Sequence, residues 1–152
     1  MHTTLSRSPV PIRFHVLATT ATHHVLMVRG SGENAAWVLP NGEVGAGRCP
    51  ILAAREKMIR ATGYDRSCCE ALAFSLDTDE AGRLTALTYV LDGGELPRVP
   101  ADANRLPERV GWLPLRELNE PPSIVQYAII ATNRRRRIPL LINGDRPEAA
   151  FL

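Results

Sequence analysis

The stretch from Trp37 to Tyr64 constrains this chain more than any other. It opens on a short apolar run, Trp37-Val38-Leu39-Pro40, and enters a loop rich in glycine through Gly42, Gly45 and Gly47. From Pro50 it continues as an amphipathic segment that stops at Gly63. Proline is tolerated in a first helical turn, and glycine is the usual residue just past a helix end. Ile51, Ala54 and Met58 recur at helical spacing with Leu52 and Ile59 beside them, which predicts one core-facing side. A loop delivered to a helix N-terminus is a common way to build a site for anions or metal-bound phosphates. Lys57 and Arg60 stand three apart, so they are neighbours on the helix surface, and Arg48 joins them from the loop. Together they read as a cationic pocket for phosphate, carboxylate or another anion, with arginine as the fork-shaped donor. The plainer alternative is a solvated charged face.

The same stretch resembles the Nudix box. Gly42 and Gly63 take that motif's first and last glycines at the family's spacing, and Met58 and Tyr64 fill its two hydrophobic positions. Trp37, Leu39, Pro40, Gly47 and the Ala53-Ala54 pair fit the flanks and interior. The resemblance extends over roughly residues 10 to 135, including a late strand around Trp112 and the Glu117-Leu118 segment. It implies an α/β/α Nudix sandwich, a mixed β-sheet between the box helix and a C-terminal helix. It places the ligand cleft beside the box helix, under the Gly30 loop and the Gly93 to Leu106 loop.

The positions that carry the family's chemistry depart from its pattern. The loop glutamate is Arg48, the Arg-Glu pair is Glu56-Lys57, and the two later glutamates are Arg60 and Ala61. In active members the helix carboxylates hold magnesium or manganese against a diphosphate, and hard cations need oxygen ligands. Arg48, Lys57 and Arg60 would repel such a cation. Pairing Arg55-Glu56 as the Arg-Glu dipeptide puts Ile59 and Arg60 at other key sites and breaks the spacing to Gly63.

Three functions follow. The first is a Nudix-like protein with no resident metal that binds an anionic, nucleotide- or diphosphate-like small molecule through Arg48, Lys57, Arg60 and, as a stacking surface, Trp37. The second is a metal-independent enzyme using Glu56 or Glu43 as acid or base. Cations beside Glu56 favour its charged form and make it a weak base. The third is a divergent hydrolase of nucleoside diphosphate derivatives that recruits magnesium or manganese through Glu43, Glu56 and Glu108. Whether the chain is an enzyme stays open at this point.

The remaining sequence supplies the frame. A chain of 152 residues with 45% hydrophobic and 22% charged content suits one globular domain, with residues 1–9 as a flexible N-terminus and 138–152 as a tail. No run is long and apolar enough to span a membrane and no signal peptide opens the chain, so a cytoplasmic location is the expectation. A net charge of +2 carries no polyanion signature. Lys57 is the only lysine. Val10 to Thr19 and His23 to Arg29 read as paired strands, and Ala36 to Leu39 as a short one. Ser67 to Ser75 and Leu84 to Asp92 flank the acidic turn from Asp77 to Gly82, whose carboxylates lack a calcium-loop pattern. Glu108 to Leu115 is a late strand. Pro121 or Pro122 opens a second helix with Ile124, Tyr127, Ala128, Ile130 and Ala131 as its apolar residues. Arg134 to Arg137 suit a helix C-terminus, and a nucleic-acid role for them lacks aromatic interleaving. His15, His23 and His24 form no ligand pattern, and Cys49, Cys68 and Cys69 lack zinc spacing. The end at Phe151-Leu152 suggests docking on the body or a second subunit, in keeping with the homodimers common in the family.

Overall fold

A computed structural model describes residues 10–139. The expectations for residues 1–9 and for the tail beyond Pro139, including Phe151-Leu152, lie outside the described residues.

Strand β1 (Ile12–Thr20) is the centre of the molecule. Its first half pairs antiparallel with β3 (Asn41–Val44) and its far end with β2 (His24–Val28). Along its other side it pairs parallel with β5 (Leu84–Leu96). With β4 (Glu70–Thr78), β6 (Val110–Pro114) and β7 (Ile138–Pro139) the order is β6-β2-β1-β5-β4-β7, with β3 on β1. The sheet is therefore mixed. Helix α1 (Pro50–Thr62) packs on one face and α2 (Ser123–Asn133) on the other, which is the expected sandwich.

Both faces are buried because β1 alternates large apolar side chains to two cores. Phe14, Val16 and Ala18 join Ala53, Ala54 and Met58 of α1. Leu17 joins Val25, Met27, Val90 and the α2 residues Val125 and Ala128. Gly63 ends α1 at φ 79°, a left-handed conformation that favours glycine, and donates its N–H to the Ile59 carbonyl. Arg55 makes a two-pronged ion pair with Asp65 (Nε to Oδ1 3.0 Å, Nη2 to Oδ2 2.9 Å), tying the helix to the segment beyond its end.

Several local expectations need correction. Leu52 and Ile59 are exposed, so the inner face of α1 is the narrower set Ile51, Ala54 and Met58 with Ala53. On α2 the buried residues are Val125 and Ala128, while Tyr127 and Ile130 face outward. The Ala36 to Leu39 strand reduces to one bridge, Val28 with Val38, because the chain turns into Pro40, whose carbonyl accepts from the Val16 N–H. The loop after Pro40 instead starts with β3, a pairing set by the distant β1. Strand β4 starts and ends later than Ser67 to Ser75. Strand β5 runs through Gly93 to Leu96, shortening the long loop; a Cβ on Gly93 would stand 2.9 Å from Ala18 Cβ and Val16 Cγ1. Of the four arginines after α2, Arg134 caps the helix through its backbone and Arg137 pairs with Asp92.

Met58→Ala is expected to lower stability by about 2–5 kcal/mol in chemical denaturation, because it empties a fully buried site. Ile59→Ala, next to it in sequence, should stay within about 0.5 kcal/mol. Equal losses would contradict the orientation of α1.

Candidate functional site

The recess beside α1 is built by three adjacent pieces of chain. Strand β1 supplies its floor at Phe14, β3 supplies Gly42 and Glu43, the loop supplies Gly45 and Arg48, and α1 supplies Ala53, Glu56, Lys57 and, from its last turn, Arg60. Its volume is about 160 Å³. Gly42 is required here by close approach: a Cβ would stand 2.9 Å from Phe14 Cζ and 3.7 Å from Lys57 Cγ. Five of the seven residues singled out from sequence, Glu43, Arg48, Glu56, Lys57 and Arg60, thus line one small recess, and Trp37 and Glu108 do not.

Within it, Arg48 Nη2 donates to Glu56 Oε1 at 2.7 Å. That hydrogen bond holds the Glu56 carboxyl below the ordinary glutamate range, with the charges of Arg48 and Arg60 acting in the same direction, and it raises Arg48 correspondingly. Both side chains are about half exposed (49% and 50%), so the pair orients Arg48 but adds little to stability. A carboxylate so stabilised is a poor base, which weakens the acid–base role considered for Glu56.

Lys57 faces a second recess as well. This one, about 380 Å³, is lined by Val28, Arg29, Gly30, Val38, Pro40, Asn41, Lys57, Ala61, Arg109 and Val110. The expected Gly30 loop borders it; residues of the Gly93 to Leu106 segment do not, and Leu96, Val99, Ala103 and Leu106 pack instead on the α1-side core. Arg29 and Arg109 were not singled out from sequence. They lie far apart in the chain and meet because β2 pairs with β6, Val28 opposite Val110, with the Arg29 N–H bonded to the Arg109 carbonyl at 3.0 Å. The readable signal is two strands, each flanked by an arginine; their pairing is not local.

Trp37 lines neither recess. It is half-buried against the α2-side core, and the Arg29 guanidinium lies 4.6 Å from its ring centroid. One face of the ring is therefore covered by Arg29. Cation–π contact and the bond from Arg29 Nη2 to the Glu108 carbonyl at 3.4 Å hold that guanidinium in place, and the Glu108 carboxylate, 90% exposed, lies 3.5 Å away.

These side chains do not fit a hard divalent cation. Glu56 is engaged by Arg48, Glu108 by Arg29, and three cations surround the recess that holds Glu43. Among the described residues no group of three or more His, Cys, Asp or Glu is placed to hold a metal. The acidic turn is a local structure: Asp79 Oδ1 accepts from the N–H groups of Ala81 and Arg83, and Asp77 accepts from Ser75 and Thr88. His23 and His24 border a separate cavity of about 290 Å³ on the α2 side of the sheet, and burial lowers the pKa of His15. Burial pushes the Cys68 thiol up to about 12.

No protein-family model matches the sequence, and no curated protein matches it. Solved structures do. A Nudix hydrolase from Nitrosomonas europaea superposes with TM-score 0.62 at 17% identity, over 87% of this chain and 94% of that one. The Nudix domain of Shewanella oneidensis NrtR, solved with ADP-ribose, gives 0.60 at 15% identity, over 88% and 94%. A bifunctional NMN adenylyltransferase/ADP-ribose pyrophosphatase from Francisella tularensis, solved with AMP and a manganese ion, gives 0.53 at 16%, over 86% and 42%. At these identities the likeness is one of fold: the chain has the Nudix fold.

Two outcomes check this geometry. An NMR titration should give Glu56 a midpoint below that of an ordinary glutamate, with the Arg48 contact complete above the carboxylate range and lost as pH falls through that midpoint; Arg48→Gln should move it back up. Cys68 should resist alkylation at mildly alkaline pH until the protein unfolds, since only the thiolate reacts.

Proposed function

We propose that this protein binds an anionic, nucleotide- or diphosphate-like small molecule without magnesium-dependent pyrophosphohydrolysis, and that Arg48, Lys57 and Arg60 contact the anion. One observation carries the reading: the three cations that replace family glutamates converge on a single recess beside the box helix. A Nudix fold whose carboxylates have become cations presents charge of the sign that a phosphate needs and a metal does not. The ligands named with the similar structures, ADP-ribose and AMP, are of this chemical class. Fold alone does not carry function, so the weight rests on the side chains.

The second reading is a divergent hydrolase that recruits a metal through Glu43, Glu56 and Glu108. Glu43 is the observation in its favour, since it lines the recess and has no ion-pair partner among the described residues. Glu108 borders the other recess only through its pairing with Arg29, so the three carboxylates do not form one ligand set.

Thermal melting in EDTA against nucleotides, nucleotide sugars and inorganic diphosphate should show a ligand-dependent rise in Tm, since a ligand that binds only the folded state stabilises it by about 2.7 kcal/mol at a hundredfold excess over Kd. The wild-type protein should release no nucleoside monophosphate from these compounds with or without magnesium. A Tm rise seen only with magnesium, together with turnover, would establish the hydrolase reading instead. Replacing Arg48, Lys57, Arg60 and Ala61 by Glu with Glu56→Arg should confer magnesium binding on the same fold.

A further inference from the structure

The two recesses differ in charge, and Lys57 is the residue they share. The smaller one has three cations, Arg48, Lys57 and Arg60, against two carboxylates, Glu43 and Glu56. The larger one has three cations, Arg29, Lys57 and Arg109, and no carboxylate in its lining. Clustered like charges whose one counter-charge, the exposed Glu108 carboxylate on Arg29, lies outside the lining repel one another, and an anion placed among them relieves that repulsion. Apolar walls from Val28, Val38, Pro40 and Val110 lower the local dielectric and strengthen attraction to an anion there. Arg29 is already positioned by Trp37 and the Glu108 carbonyl, so little of its freedom remains to be lost on binding. The charged groups facing the site are completed by the exposed Glu108 carboxylate, a weak, solvated competitor for Arg29.

We infer that Arg29, Lys57 and Arg109 form the principal anion subsite, and that Lys57 joins it to a weaker subsite at Arg48 and Arg60, so that the ligand carries two adjacent anionic groups straddling Lys57. This rests on the anion-binding reading above and assigns two residues, Arg29 and Arg109, that the family motif does not contain. The single ammonium of Lys57 takes the central position between the two groups, from a helix position at which the motif carries a carboxylate. An anionic group entering the smaller recess competes with Glu56 for Arg48, which makes that subsite the weaker one. The volumes agree with this order. At about 160 Å³ the smaller recess suits a terminal phosphate-sized group, and at about 380 Å³ the larger one has room for the inner group and part of the body attached to it.

The test is calorimetric titration in EDTA with inorganic phosphate and inorganic pyrophosphate. The variants are Arg109→Gln, Arg48→Gln with Arg60→Gln, and Lys57→Gln. The side chain of Arg109 is exposed and its backbone carbonyl makes the contact with the Arg29 N–H just beyond β2, so the fold should tolerate the change; circular dichroism and Tm check this. Wild-type protein should prefer pyrophosphate by about tenfold or more, since charge-assisted hydrogen bonds contribute at that level. Arg109→Gln should weaken both anions about tenfold. The Arg48, Arg60 double variant should weaken pyrophosphate and leave phosphate unchanged, and Lys57→Gln should weaken both and erase the preference. Wild-type binding that is indifferent to Arg109, or equal for the two anions, overturns the two-subsite arrangement while leaving the anion-binding reading standing. Wild-type protein that binds neither anion overturns both.

Discussion

The Phe14 ring lying against Gly42 is the contact on which the rest of the site depends. It requires a residue without a Cβ, and through it β3 closes onto β1. That closure fixes where the loop leaves the sheet and where α1 begins. The Lys57 stem passes the same glycine, so the position of the only lysine follows from the packing of the core. The site is a surface feature whose geometry is dictated from below, by β1 alternating Phe14, Val16 and Ala18 toward α1 and Leu17 toward α2.

This explains how the outer face of α1 can carry charge of either sign while the fold stays intact. The inward residues Ile51, Ala53, Ala54 and Met58 do the packing, and the outward ones, Glu56, Lys57 and Arg60, face solvent or the recess. Exposed ion pairs contribute little to stability, so their sign is free to change without penalty to the sandwich. The ligand chemistry is not free in the same way. A carboxylate-lined recess suits a hard cation, and a cation-lined one suits an anion.

Much of this was legible in the sequence where the signal was local. The spacing from Gly42 to Gly63, a start near Pro50 and the Gly63 stop located α1, and Arg48, Lys57 and Arg60 could be read as neighbours from helix geometry and the motif. What escaped was set by pairing between distant strands. Strand β3 read as loop because its partner is β1, and Arg29 and Arg109 had no visible relation until β2 lay beside β6. Apolar content alone misled at Leu52, Ile59, Tyr127 and Ile130, because an apolar side chain on a helix is buried only if its face meets the sheet. Trp37, expected as a stacking surface, is half-buried and carries Arg29 on its ring.

The central claim is that fixed side-chain cations, rather than a divalent metal, neutralise the ligand. The most direct measurement is the affinity of one nucleoside diphosphate, by calorimetry, as magnesium is raised from zero at constant ionic strength. Magnesium binds the free diphosphate and removes the charge that Arg48, Lys57, Arg60, Arg29 and Arg109 would engage, so affinity should fall as magnesium rises. An affinity that climbs with magnesium would mean that the metal bridges ligand and protein, and would contradict the account.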